Sequence, residues 1–123
     1  MKSFAYALAA LLAAVPAGAH HSTTGFDGTQ PATVTGVVTR LVWQNPHTTI
    51  DLDVADEKGN IEKWTIESES LYILQRLGWT KDLIKPGQQI RSIGGRAKNG
   101  SYIMRCKTVE LSDGRKLPCF PSE

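Results

Sequence analysis

Little in this sequence belongs to the usual signatures of an enzyme or a nucleic-acid binder. Charge of one sign is missing. Fourteen Lys and Arg stand against twelve Asp and Glu, a formal +2, whereas nucleic-acid recognition calls for a strongly basic face. Cysteine is scarce, with only Cys106 and Cys119 and no CxxC spacing. No apolar run reaches the ~20 residues that a membrane-crossing helix needs, so the chain is not read as an integral membrane protein. No serine sits in a nucleophile-elbow sequence. The glycines at 94, 95 and 100 lie between strand patterns and lack the following helix that cradles phosphate. There are no internal repeats and no low-complexity segments. Nothing here reads as an enzyme.

What is present begins with a leader. Lys2 supplies a positive start, Phe4 to Val15 is apolar throughout, and Ala17-Gly18-Ala19 has the small-x-small form of a cleavage site. Residues 1–19 are therefore expected to be an export signal, which places the protein in the periplasm or outside the cell. A cut after Ala19 starts the mature chain at His20 and removes Lys2, lowering the formal charge by one. Residues 20–32 are polar, with Phe26 the single large apolar side chain, and read as an arm that Phe26 anchors. Residues 33–123 have room for one domain.

The domain reads as mainly β. "TVTGVVTRLVW" is rich in β-branched residues, has apolar side chains on both parities and contains Gly36. A long strand that bends at the glycine and feeds two packing surfaces has this pattern. "QNPH" is a turn, "TIDLDV" alternates, "DEKGN" is a hairpin turn, and "IEKWTIE" is a third strand. The period then changes. Leu71, Leu74 and Leu77 share a helical face, Ser68 or Ser70 can cap its start, and Gly78 stands at its C-terminal end. Pro86-Gly87 suits a type II turn. "QIRSIGG" and "YIMRCKTVEL" are two further strands around Asn99-Gly100, a strong hairpin signal, and "DGRKL" is a last turn. Three strands, one short helix and two strands match the five-stranded, partly open barrel of the OB type, with the helix between strands three and four.

Chemistry concentrates at the leader junction. Each plausible cut leaves a terminus competent for copper. After Ala19, the α-amine and imidazole of His20 can chelate one ion together. After Gly18 or Ala17, a histidine stands third from a free amine and can wrap Cu(II) or Ni(II) in a tetragonal nitrogen set. The third histidine, His47, follows Asn45-Pro46 at the mouth of the first hairpin. Its parity is that of Thr49, Asp51 and Asp53, away from the core face. On an OB-like barrel that loop borders the usual binding face, and the arm is long enough to fold back to it. His20, His21 and His47 together make a candidate metal site, copper favoured. The plainer alternatives are an arm that binds metal adventitiously and a His47 ring that only caps its turn.

Cys106 and Cys119 fit an oxidising compartment, where a bridge would pin the C-terminal tail. Two separate thiols, or soft metal ligands with Met104, are the other readings. Glu67 and Glu69, with Glu62 upstream, read as a solvated edge or as charge at a helix start. Trp43 and Trp79 with Asn45 form a candidate binding face, the tryptophans being equally at home in the core.

The strings "HHS" at the mature start, "GxVTxLxWxNPH" from Gly36 to His47, "GWTKDLIKPG" from Gly78 to Gly87 and "LSDGRKL" from Leu111 to Leu117 resemble a family of small exported bacterial proteins. That family is classed as a domain of unknown function. The resemblance covers nearly the whole mature chain and implies a periplasmic or secreted single domain, with no activity to transfer. Its His-His start and Asn-Pro-His turn fall on His20, His21 and His47. The two cysteines stand outside the pattern. The sequence thus points first to an exported barrel that sequesters or hands over copper. Its rivals are a metal-free module that holds a periplasmic protein or ligand, and an accessory subunit of an exported oxidoreductase.

Overall fold

The computed structural model describes residues 25–121. The expected signal at 1–19 and the histidines His20 and His21 lie outside the described residues. Six strands and one helix follow in chain order: β1 (Ala32–Val42), β2 (Thr49–Ala55), β3 (Ile61–Glu67), α1 (Leu71–Arg76), β4 (Gln89–Arg96), β5 (Ile103–Leu111) and β6 (Lys116–Pro118).

β1 pairs antiparallel with both β2 and β4, β2 with β3, and β4 with β5. A parallel pairing of Thr65–Glu67 with Ile103–Arg105 joins β3 to β5. The sheet thereby closes on itself in the order 1-2-3-5-4, the connectivity of an OB-like barrel. It is closed rather than partly open, and edges stay bare only where a strand outruns its partner. Beyond the closure, β5 runs past the end of β3 and pairs with β6 instead. The expected final turn at "DGRKL" therefore leads into a sixth strand.

Alternation explains the core. Val34, Val38, Ile50, Leu52, Trp64, Ile66, Ile90, Met104, Val109 and Leu111 are buried along their strands, every second residue pointing inward. Leu74 of α1 and the following Trp79 and Ile84 close one end. The Trp79 indole N–H donates to the Pro118 carbonyl at 2.8 Å, which satisfies the polar end of a buried ring and ties β6 to the helix.

β1 carries a bulge beyond Gly36. The register slips between Val38 and Arg40, so Thr39 is the bulged residue and the inward parity changes there from Val34 and Val38 to Leu41. Gly36 answers a different need. A Cβ at this position would lie 2.6 Å from the Asp53 carbonyl oxygen and 2.8 Å from the Val54 side chain, so the glycine permits a close crossing of β1 over β2. The bulge bends the strand, and the glycine lets it pass.

Three hairpin turns share one construction. Gly59, Gly100 and Gly114 each donate a backbone N–H three residues back, to Asp56, Ala97 and Leu111, and each has φ between 82° and 90°. Asp56, Asn99 and Asp113 accept backbone N–H groups with their side chains. This is a turn followed by a left-handed glycine, the geometry of the longer hairpin loops.

Candidate functional site

The turn carrying His47 is held at several points. The Thr48 backbone N–H donates to the Glu69 carbonyl at 3.0 Å, and the Thr48 carbonyl accepts from the Ser68 N–H at 2.9 Å. The Asn45 carboxamide oxygen accepts from the Leu71 N–H at 3.0 Å. Ser70 occupies the N-cap position of α1 and makes no side-chain cap bond. The helix is thus capped across the chain by Asn45 rather than by its own serine, and that spends the polar end of Asn45 on structure. The Asn45–Pro46 peptide is cis.

This clamp sets the His47 ring against β3. Its Nδ1 lies 3.5 Å from Glu67 Oε1, with both side chains about a quarter exposed. Arg105 of β5 reaches the same carboxylate, Nη1 to Glu67 Oε1 at 3.5 Å, and donates from Nη2 to Glu69 Oε1 at 3.4 Å. Its guanidinium also stacks 4.4 Å from the centre of the Phe120 ring. His47, Glu67, Arg105 and Glu69 therefore form one polar chain on the outside of the barrel, at the end where α1 begins.

Strand register explains the grouping. Gly95 pairs with Arg105, Arg105 with Glu67, and Glu67 with Thr49, so one row of residues crosses four strands from β4 to β2. The N-terminal arm arrives at its far side. Phe26 makes a β-bridge with Ala97, and the Asp27 N–H donates to the Arg96 carbonyl at 2.8 Å. Phe26, Gly28, Arg105, Lys107 and Phe120 line a hollow of about 320 Å³ between the arm and the C-terminal tail. Arg105 thus touches the arm's hollow at one end and the partner of His47 at the other.

The remaining candidates divide. Trp43 is half-buried and lines a groove beside β1. Trp79 is 2% exposed and belongs to the core, so it offers no binding face. Cys106 and Cys119 are joined in a disulfide with Cα atoms 5.7 Å apart, and both are buried. Met104, also fully buried, packs in the barrel core. Glu62 is engaged elsewhere, accepting from the Trp64 indole at 2.9 Å.

Glu67 and Glu69 are not a solvated edge, because both face Arg105, whose side chain is only 15% exposed. The sequence carries no local sign of this, since the two partners are nearly forty residues apart and meet only through the parallel closure. Among the described residues, no group of three His, Cys, Asp or Glu is placed to hold a metal ion. A metal site at His47 would draw its other donors from outside the described residues. Among them too, no helix is long and apolar enough to cross a membrane.

One family model matches residues 8–104, most of the chain, and its description is of a family of unknown function. No curated protein matches the chain.

Proposed function

The chain belongs to DUF6152, a family of unknown function, and from that premise, which brings no activity with it, we propose that it is an exported barrel that binds copper. The ligands in this reading are His47 and the histidines of the N-terminal arm, His20 and His21, together with the α-amine that signal cleavage exposes. The protein's task is to sequester or hand over the ion, with no chemistry on a substrate.

The observation that carries the reading is the carboxylate of Glu67 facing Nδ1 of His47. A carboxylate beside one ring nitrogen favours the proton there. The other nitrogen, Nε2, then has the lone pair that ligates metals. The clamp at Asn45 and Thr48 adds rigidity, as a built site requires.

Chain length supports the rest. The described end of the arm, Gly25, accepts from the Lys98 N–H, about 10 Å along the chain from Gly95. Three strand spacings, about 14 Å, separate Gly95 from Thr49, two residues from His47. The five residues from Gly25 back to His20 span roughly 17 Å when extended, and imidazole side chains add to that reach. An amine, an imidazole from the arm and the His47 ring make a nitrogen set of the kind that suits Cu(II).

The test is a Cu(II) titration of the protein purified from the periplasm, its terminal residue established by mass, against the same chain carrying one extra N-terminal Met. One-to-one binding that weakens sharply with the extra residue and with His47→Ala is the expected result. Equal binding by all three forms would remove the metal from the function.

A further inference from the structure

A second surface stands independently of the metal reading. β1 divides its pairing, with β4 along Ala32–Val37 and with β2 along Val37–Val42, so that Val37 is the residue shared by both ladders. Its pairing with β4 ends at Val37 opposite Gln89, and Val38 makes the last contacts on that side, its N–H to the Gln88 carbonyl and its carbonyl to the Gly87 N–H, both at 2.8 Å. From Arg40 to Val42 the strand keeps β2 on one edge. Among the described residues it has no strand on the other.

That bare edge runs along the largest hollow described on the barrel, about 520 Å³. The far wall is the connection between α1 and β4. Leu41, Trp43, Ile84 and Pro86 give the groove an apolar floor, and Arg40, Lys81 and Lys85 stand on its rim with Asp82 as the one acid. Arg40 already holds Asp51 at 2.8 Å. Lys81 and Lys85 have no ion pair among the described residues, whereas the wall cations Lys63, Arg91 and Arg105 each face a carboxylate.

An unpaired strand edge offers backbone donors and acceptors to another extended chain. Strand addition gains affinity from those main-chain bonds and specificity from the pockets beside them. We infer that this groove takes an extended, acidic peptide segment of a partner protein, which adds a strand along Arg40–Val42 and seats one apolar side chain against Trp43. The half-buried Trp43 ring is the kind of aromatic anchor around which binding energy concentrates. The rim selects the charge: Lys81 and Lys85 gain carboxylates that the barrel itself does not supply.

The experiment uses the full chain and two synthetic heptapeptides. One alternates valine and glutamate around a central tryptophan, and the other has every glutamate replaced by lysine. Amide shifts and hydrogen-exchange protection are followed by NMR. The acidic peptide is expected to shift and protect Arg40–Val42 and to shift Lys81–Lys85. The double variant K81E/K85E should bind it about tenfold more weakly and bind the basic peptide better than the unaltered chain does, the scale expected of two exposed charge pairs. Both lysines are exposed, so the variant keeps the fold. Shifts elsewhere on the barrel, affinity indifferent to the charge swap, or dimerisation through this edge in place of peptide binding would each overturn the proposal.

Discussion

Glu67 Oε1 lies 3.5 Å from His47 Nδ1 and 3.5 Å from Arg105 Nη1, so one carboxylate serves an imidazole and a guanidinium at once. If His47 ligates copper, Glu67 is its positioning residue. Glu67→Gln keeps the side-chain length and removes the charge, and it is expected to lower Cu(II) affinity by about 10–100-fold, the usual cost of losing an outer partner. Glu69→Gln touches Arg105 and not His47, and should change affinity far less. Isothermal titration of the two variants side by side decides the matter. Equal losses would mean that the charge of the cluster matters and the His47 contact does not.

The Asn45 cap predicts a stability effect at a site far in sequence from the helix that it serves. Asn45→Ala leaves the Leu71 N–H without its partner and is expected to cost about 1 kcal/mol in urea unfolding. Asn45→Asp keeps an acceptor and should cost little. Because the same contact holds the His47 turn, Asn45→Ala is also expected to increase amide exchange at His47 and Thr48. A stable Asn45→Ala protein would show that the Thr48 backbone bonds suffice.

Elements were legible in the sequence wherever a local pattern carries them. The alternation of Ile50, Leu52 and Val54, the change of period at Leu71, and Asn99-Gly100 each mark their structure within a few residues, and together they lead to an OB-like barrel. What stayed hidden depends on distant pairing. The Thr39 bulge shows only in the register of β1 against β2, which no local pattern announces. Strand β6 is three residues long, too short to show a period, and exists because β5 outruns β3. Glu67 and Glu69 looked like surface charge because Arg105 reaches them only through the parallel closure. Trp79 could not be told from a surface ring until its indole met Pro118. Of the candidate site, His47 and its outward parity were legible, and the partner of its ring was not.

Gly36, like Gly94 and Gly95, is a glycine where added volume meets backbone. In Gly36→Ala the new methyl would sit 2.6 Å from the Asp53 carbonyl oxygen, and neither crossing strand can move without disturbing the barrel. Overpacking of this kind costs about 1–3 kcal/mol, read as a lower urea midpoint. Gly28→Ala is the control, since nothing lies within 4 Å of its added carbon. Equal stability of the two variants would show that β1 and β2 separate more easily than their close crossing implies.

Asp27 gives the arm a pH dependence. Its carboxylate accepts from the Thr29 hydroxyl at 2.7 Å and from the Thr29 N–H at 2.9 Å, and these bonds hold its pKa below the ordinary value of 3.8. A carboxylate with a depressed folded-state pKa contributes fully above the unfolded value and loses that contribution as pH falls through the folded one. The Asp27–Thr29 turn is therefore expected to be intact above about pH 5 and to open in strong acid. Carboxyl NMR titration should place the Asp27 midpoint below 3.8 in the unaltered chain and closer to it in Thr29→Val. An unchanged midpoint in that variant would assign the shift to other neighbours, Lys98 among them.

The disulfide makes the last prediction, because it ties the tail to the strand that carries Arg105. Cys106 and Cys119 are 13 residues apart, and closing a loop of that size stabilises by ~3 kcal/mol in the chain-entropy account. The double variant Cys106→Ala/Cys119→Ala is expected to lose about that much in urea unfolding. The loss should also reach the polar chain on the barrel wall. Phe120 follows Cys119 directly and stacks on the Arg105 guanidinium, so a looser tail frees Arg105 to shift from Glu67 and Glu69. Exchange should therefore rise first along β6 and only afterwards around Glu67, a sequence that hydrogen-exchange mass spectrometry resolves. Uniform exchange with an unchanged urea midpoint would show that β6 and the Trp79–Pro118 bond hold the tail without the sulfur link.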